Sequence, residues 1–178
     1  MKRLFDILGA LVLLLIALPF LFVVIIAIVL IERKSPFFLQ ERVGKNKQPF
    51  TIIKLRTMSN GEITVIGAIL RKTGIDELPQ LINILKCDMS FVGPRPLTQH
   101  DIDRLGWGGS FYQKRWSVRP GIVGLAQLSP VCHKKMSWFY DQLYLNKHSF
   151  ILDVKILCAA MLIPFTGKQF VKKSIHGK

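Results

Sequence analysis

Acids are scarce in this chain of 178 residues: 11 Asp and Glu stand against 25 Lys and Arg, a net charge of +14. Cysteine is nearly absent too. Cys87, Cys132 and Cys158 are an odd number with no C-x-x-C spacing, which excludes a disulfide framework and points to a reducing compartment. The four histidines, His100, His133, His148 and His176, lie far apart and have no metal-ligand spacing. There is no G-x-S-x-G, no Walker loop, no G-x-G-x-x-G, no internal repeat and no low-complexity segment. The basic residues spread from Lys2 to Lys178, so the field attracts nucleic acid, anionic lipid or phosphorylated small molecules without choosing among them. No nucleic-acid-binding module is recognisable, and nucleic acid is not an expected partner.

Charge is missing altogether from Ile7 to Ile31. A helix of that length spans a hydrocarbon core of about 30 Å. It is too long for a signal-peptide core, and no small-residue cleavage site follows it. Lys2 and Arg3 flank it on one side, Arg33 and Lys34 on the other. A cytoplasmic preference for both basic flanks suits a helix that enters and leaves by the same face. Pro19, near the middle, removes a backbone donor and favours a kink. An ordinary spanning anchor that tolerates its proline remains open at this point.

Phe37–Val43 and Phe50–Thr57 read as a β-hairpin around the turn Gly44–Lys47. Val65–Lys72 and Glu77–Lys86 read as short helices. Val92–Pro96 reads as a loop, residues 98–117 as two helices broken at Gly106–Gly109, and Arg119–Gly121 with Gly124 as an irregular segment. Trp138–His148 has the aromatic pattern of an interfacial helix or of core packing. Ile156–Phe165 is too short to span and reads as a buried or interfacial helix.

The chemical signal is Asp76-Glu77, two adjacent carboxylates in an acid-poor chain. Thr73-x-x-Asp76 has the form of a capping box, so both acids also fit a first helical turn. Lys54, Arg56, Arg71, Lys72 and Arg95 flank the pair in sequence. A carboxylate near several cations is expected to have a depressed pKa. Such a group can act as a nucleophile or hold a hard cation such as magnesium together with phosphate oxygens. Arg95, between two prolines, is a pre-positioned guanidinium suited to phosphate.

Arg71–Leu97, RKTGIDELPQLINILKCDMSFVGPRPL, resembles the signature of the bacterial sugar transferase family, the monotopic polyprenyl-phosphate phosphoglycosyl transferases. ERVGKNKQPF at Glu41–Phe50, KLRTM at Lys54–Met58, RPGIVGLAQ at Arg119–Gln127 and LDVKIL at Leu152–Leu157 resemble further family segments in order.

The resemblance implies a mainly helical α+β fold. It has a re-entrant N-terminal helix over residues 1–34 broken at Pro19, a small hairpin, interfacial amphipathic helices, and a catalytic domain over 35–178. It implies Asp76 as nucleophile and Glu77 as its partner, both also ligands of a magnesium cofactor. Lys54, Arg56, Arg71, Arg95, Gln127 and Asp141 follow as substrate-binding positions. The implied activity transfers a sugar-1-phosphate from a UDP-sugar to polyprenyl phosphate and releases UMP, at the cytoplasmic face of a bacterial inner membrane. Implied partners are those substrates, membrane phospholipid, a second copy of the chain and downstream glycosyltransferases. A basic membrane scaffold and one-step transfer are the rival readings.

Three departures from the family pattern stand out. Leu18-Pro19 replaces Ser-Pro, Ser59–Leu70 is short, and Cys87 sits where glycine is usual, so a special backbone angle there would be strained.

Overall fold

The computed structural model describes residues 1–129 and 133–166; Cys132 and His176 lie outside them. Helix α1 runs from Lys2 to Glu32. It passes through Pro19 as one helix, which corrects the expected break there. Neighbouring backbone hydrogen bonds of a long apolar helix hold it across the one that proline removes. At 1.5 Å per residue its 31 residues extend roughly 46 Å. Asp6, Ala10, Ala17, Leu21 and Ile28 are its buried residues, repeating at alternate steps of four and seven. That is one helical face. Leu8, Leu15, Phe22 and Leu30 are among the many exposed apolar side chains that cover the remaining faces. The helix is long and apolar enough to cross a membrane.

The chain divides into two compact units. Residues 3–41 and 51–87 form one, and residues 1–2, 42–50 and 88 onward form the other. In the first, Ala17, Leu21 and Ile28 of α1 pack with Leu55 and Leu70. Strand β1, Phe37–Val43, pairs with β2, Pro49–Leu55, as the expected hairpin, with left-handed Asn46 and Lys47 in its turn. A second hairpin, which the sequence patterning did not suggest, joins β3, Met58–Ser59, to β4, Glu62–Ile63. Its turn is Asn60-Gly61, both at positive φ, as a type I′ turn requires.

Helix α2, Val65–Thr73, starts at Thr64, whose hydroxyl accepts from the Gly67 amide, and stops at left-handed Gly74. The Thr73 hydroxyl donates back to the carbonyls of Ile69 and Leu70, so the expected capping box with Asp76 does not form. A capping box does form elsewhere, between Thr98 and Asp101. The single helix expected over Glu77–Lys86 is divided. A 3-10 turn covers Ile75–Glu77, and helix α3, Gln80–Leu85, begins after Pro79. The proline has no amide to donate and fits a helix start better than an interior. Beyond α3, Cys87 sits at φ 71°, the angle at which glycine usually ends a helix. The strain expected there is present.

In the other unit, β5, Ser90–Val92, pairs in parallel with β6, Gly121–Val123, two short strands that the patterning did not suggest and that take in Val92 and Gly121 from the edges of the expected loops. Gly93 and Gly121 explain the glycine content. A Cβ on Gly121 would lie 2.1 Å from the Gly93 amide nitrogen, so the backbones meet with no room for a side chain. Helix α4, Gln99–Leu105, and a 3-10 segment, Ser110–Ser117, flank Gly106–Gly109 as expected. Helices α5, Leu125–Leu128, α6, Lys134–Lys147, and α7, Phe150–Thr166, complete the unit. Trp107, Trp116, Val43, Leu97 and Ile102 form its core. On α6, Tyr140 and Tyr144 are buried and Phe139 is exposed, so core packing and surface share the aromatics. Helix α7 is longer than its apolar stretch suggested and exposes Phe150, Ile151 and Met161. The Lys2 ammonium donates to the Val92 carbonyl, the Tyr144 hydroxyl and the Asp153 carboxylate at 2.6–3.0 Å. The start of α1 is therefore fixed to α7.

Candidate active site

Asp76 and Glu77 sit on the short 3-10 turn that the left-handed Gly74 aims away from α2. Glu77 is paired with Lys54 of β2, Nζ to Oε1 2.5 Å. Arg71, in the last turn of α2, donates through Nε to the Thr57 hydroxyl at 2.8 Å. Both cations act on Asp76 electrostatically. Burial nevertheless pushes the Asp76 carboxyl up, and the Glu77 charge adds to it. Lys54, a backbone hydrogen bond and Arg71 pull the other way without prevailing. The expected depression is thus corrected: the cations lie at the site, but loss of water around a half-buried carboxyl wins.

Arg56 is turned to another task. Its Nε donates to the Ser35 carbonyl at 2.7 Å and its NH2 to that of Phe37 at 3.2 Å, holding the chain as it leaves α1.

Among the described residues no three His, Cys, Asp or Glu side chains gather into a metal cluster. Two neighbouring carboxylates do suit magnesium, which takes one or two from protein and the rest from phosphate and water. The raised pKa of Asp76 marks a site where added positive charge would be favourable.

The remaining candidates, Arg95, Gln127 and Asp141, lie in the other unit, around a cavity of about 500 Å³. Arg95 is exposed on its proline-bounded loop. Asp141 is buried and paired with Arg115, Nε to Oδ2 2.8 Å. Burial pushes the Asp141 carboxyl up, and the guanidinium opposes that shift. Arg115 also donates from NH2 to the Arg95 carbonyl at 2.6 Å and packs against the rings of Trp107 and Trp116. Nothing in the sequence marked Arg115 among so many basic residues; only its meeting with Asp141, 26 positions on, reveals it. It fixes the Arg95 loop from beneath.

The acid pair, its two cations and a helix long and apolar enough to cross a membrane all lie in one unit. The chain belongs to the bacterial sugar transferase family, whose model matches residues 1–167. It is 39% identical over 175 residues to the uncharacterized sugar transferase EpsL of Bacillus subtilis, covering 89% of this chain and 84% of that one. The exopolysaccharide production protein PSS of Rhizobium leguminosarum bv. phaseoli is 34% identical, over 96% of this chain and 98% of its own length. The UDP-glucose:undecaprenyl-phosphate glucose-1-phosphate transferase of Caulobacter vibrioides is 40% identical over 71% of this chain. The chain spans about half of that enzyme, 53%.

Proposed function

We propose that this protein transfers a sugar-1-phosphate from a UDP-sugar to undecaprenyl phosphate, releasing UMP, as a first membrane step of surface glycan assembly. The observation that carries the reading is the Asp76-Glu77 pair, held on a turn with Lys54 and Arg71, in a chain of this family. Relatives are named for this kind of transfer with glucose and with N-acetylgalactosamine.

In the proposed chemistry the Asp76 carboxylate attacks the sugar-linked phosphorus of the UDP-sugar. The bond from that phosphorus to the bridging oxygen breaks, and UMP leaves with the electron pair. An acyl phosphate carrying the sugar results. A phosphate oxygen of the polyprenyl carrier then attacks the same phosphorus and releases Asp76. Arg71 counters the phosphate charge and Lys54 orients Glu77. In the other unit the Arg115–Asp141 pair positions the Arg95 loop. Magnesium, held by Asp76 and Glu77 with phosphate oxygens, would neutralise developing charge. Because burial raises the Asp76 pKa, arrival of positive charge favours its nucleophilic, ionised form.

The membrane reading is a helix that keeps both ends at the same face, with the catalytic part on the cytoplasmic side of the inner membrane. Its support lies within one unit. Near the start of α1, Arg3 donates to the Ile84 carbonyl; just past its end, Lys34 donates to Ser59 and Asn60. Between them the buried stripe packs on Leu55 and Leu70. A straight crossing would place parts of the same small body at both faces of the bilayer and its hairpin in hydrocarbon, where unpaired backbone is costly.

The test is turnover with undecaprenyl phosphate and a panel of UDP-sugars, together with exchange of labelled UMP into UDP-sugar without lipid. Asp76→Ala should abolish both. Full turnover in that variant ends the proposal, and turnover without exchange would point to one-step transfer.

A further inference from the structure

Helix α2 carries apolar side chains that no described residue covers. From Ile63 to Leu70 the chain holds no charged residue. Ile66 and Leu70, one turn apart, pack into the cluster that α1 forms with Leu55. Val65, Ala68, Ile69 and Lys72, spaced i, i+3, i+4 and i+7, make the flank beside them, and all four are exposed. Val65 is 83% exposed and Ile69 59%. The strip continues onto the β3–β4 hairpin. Met58 and Ile63 stand opposite each other in its register, so their side chains share one side, and both are exposed. Ser59 and Glu62, the next pair, point to the other side. Hairpin and helix are packed tightly, since a Cβ on Gly67 would run into the Thr57 carbonyl. All of these residues lie in the same unit as α1 beyond Lys2. A helix apolar on every side belongs in a core or in lipid. One side of α2 has α1, and lipid is the cover that fits the other. Two observations favour it. The remaining faces of α1 are themselves apolar and exposed, so the flank of α2 extends a lipid-compatible surface. Cations stand at its edges: Lys34, just past α1, donates to Ser59 and Asn60 at the hairpin turn, and Lys72 closes the flank of α2. Such cations suit an anionic headgroup layer while their stems lie along apolar surface.

We propose that the outer flank of α2 lies at the boundary between acyl chains and headgroups of the bilayer, and that it sets the depth of the acid pair. Phospholipid of the bilayer is the occupant. The inference rests on the transferase reading for its purpose but not for its geometry. Helix α2 ends at left-handed Gly74, and Asp76 and Glu77 follow on the next turn. Fixing α2 at the boundary therefore holds the acids within a few residues of the headgroup phosphates. A polyprenyl phosphate confined to the leaflet carries its own phosphate at that level, so the depth of α2 supplies proximity. Val65 and Ile69 are positioning residues: they touch lipid and act on the chemistry only through the helix.

The experiment uses the full chain in nanodiscs of phosphatidylcholine and phosphatidylglycerol. Val65→Trp places an indole on the flank, and its emission is read as the difference from wild type, in phospholipids brominated near the top or near the end of their acyl chains. Shallow bromines should remove most of the added emission, and deep ones much less. A second arm combines Val65→Glu with Ile69→Glu, which takes the flank out of lipid. Turnover onto undecaprenyl phosphate should fall about tenfold or more, a fraction of what two apolar side chains gain from full burial, while exchange of labelled UMP into UDP-sugar stays within about twofold. Exchange needs a folded site, so its survival separates lost depth from lost fold. An added indole that no brominated lipid quenches overturns the proposal. So does turnover that survives both glutamates, or exchange that falls along with it. Quenching that vanishes when undecaprenyl phosphate is added would assign the flank to the carrier's tail and overturn the proposal too. Failure of the transferase reading looks different: wild type then shows neither turnover nor exchange, while the quenching arm still decides where α2 lies.

Discussion

Arg115→Ala should be the most damaging single substitution away from the acid pair. Arg115 and Asp141 are paired at 2.8 Å with side chains only 3% and 4% exposed, so removing the cation strands a carboxylate with almost no water. Breaking a buried pair from one side costs about 3–5 kcal/mol, a large part of the roughly 5–15 kcal/mol that holds a typical domain together. At about 2–4 °C per kcal/mol for a chain of this size, the melting temperature should fall by roughly 6–20 °C. The loss also removes the bond to the Arg95 carbonyl, so the Arg95 loop should loosen in whatever fraction stays folded. Replacing both partners, Arg115→Met with Asp141→Leu, should recover most of the stability, because no charge is left behind. Thermal and denaturant unfolding of wild type, Arg115→Met, Asp141→Leu and the double variant in one detergent gives the coupling energy. The stranded Asp141 can also relieve its cost by taking a proton, and burial already favours its neutral form. The Arg115→Ala deficit should therefore shrink as pH falls. A deficit under about 1 kcal/mol, or one that grows on acidification, would refute the reasoning.

Turnover should fall on acidification with a midpoint above that of a free aspartate, since burial and Glu77 raise the Asp76 pKa and only its ionised form attacks; a pH–rate profile reads this. Lys54→Met removes a group that lowers that pKa and should move the acid limb to higher pH. A raised carboxyl stabilises the fold while protonated, and that contribution is lost as pH rises through its folded pKa. Asp76→Asn should consequently be inactive yet melt no lower than wild type at neutral pH. Cys87→Gly relieves a positive φ and should stabilise by about 1 kcal/mol, seen as a melting temperature a few degrees higher. Gly121→Ala forces a Cβ to 2.1 Å from the Gly93 nitrogen and should cost roughly 2 kcal/mol or more, seen as loss of folded protein.

By itself the amino-acid order determined whatever depends on neighbours along the chain. Lack of charge from Ile7 to Ile31 specifies a lipid-compatible helix, aromatic and β-branched residues around Gly44–Lys47 specify a hairpin, and the position of Cys87 announces its strained angle. Family blocks in the correct order made Asp76-Glu77 stand out from a bland capping pair. Tertiary structure decided what depends on distant partners. Whether Asp76 is held below or above the ordinary carboxylate range turns on how much water it loses, and charges nearby in sequence do not report that. Arg56 matches a family motif yet holds the exit of α1, because two carbonyls reach it first. Strands β5 and β6 were not legible because parallel strands of three residues exist only where another backbone lies against them. Arg115 becomes visible only when folding brings Asp141 to it, since a buried ion pair is a property of two positions and of neither alone.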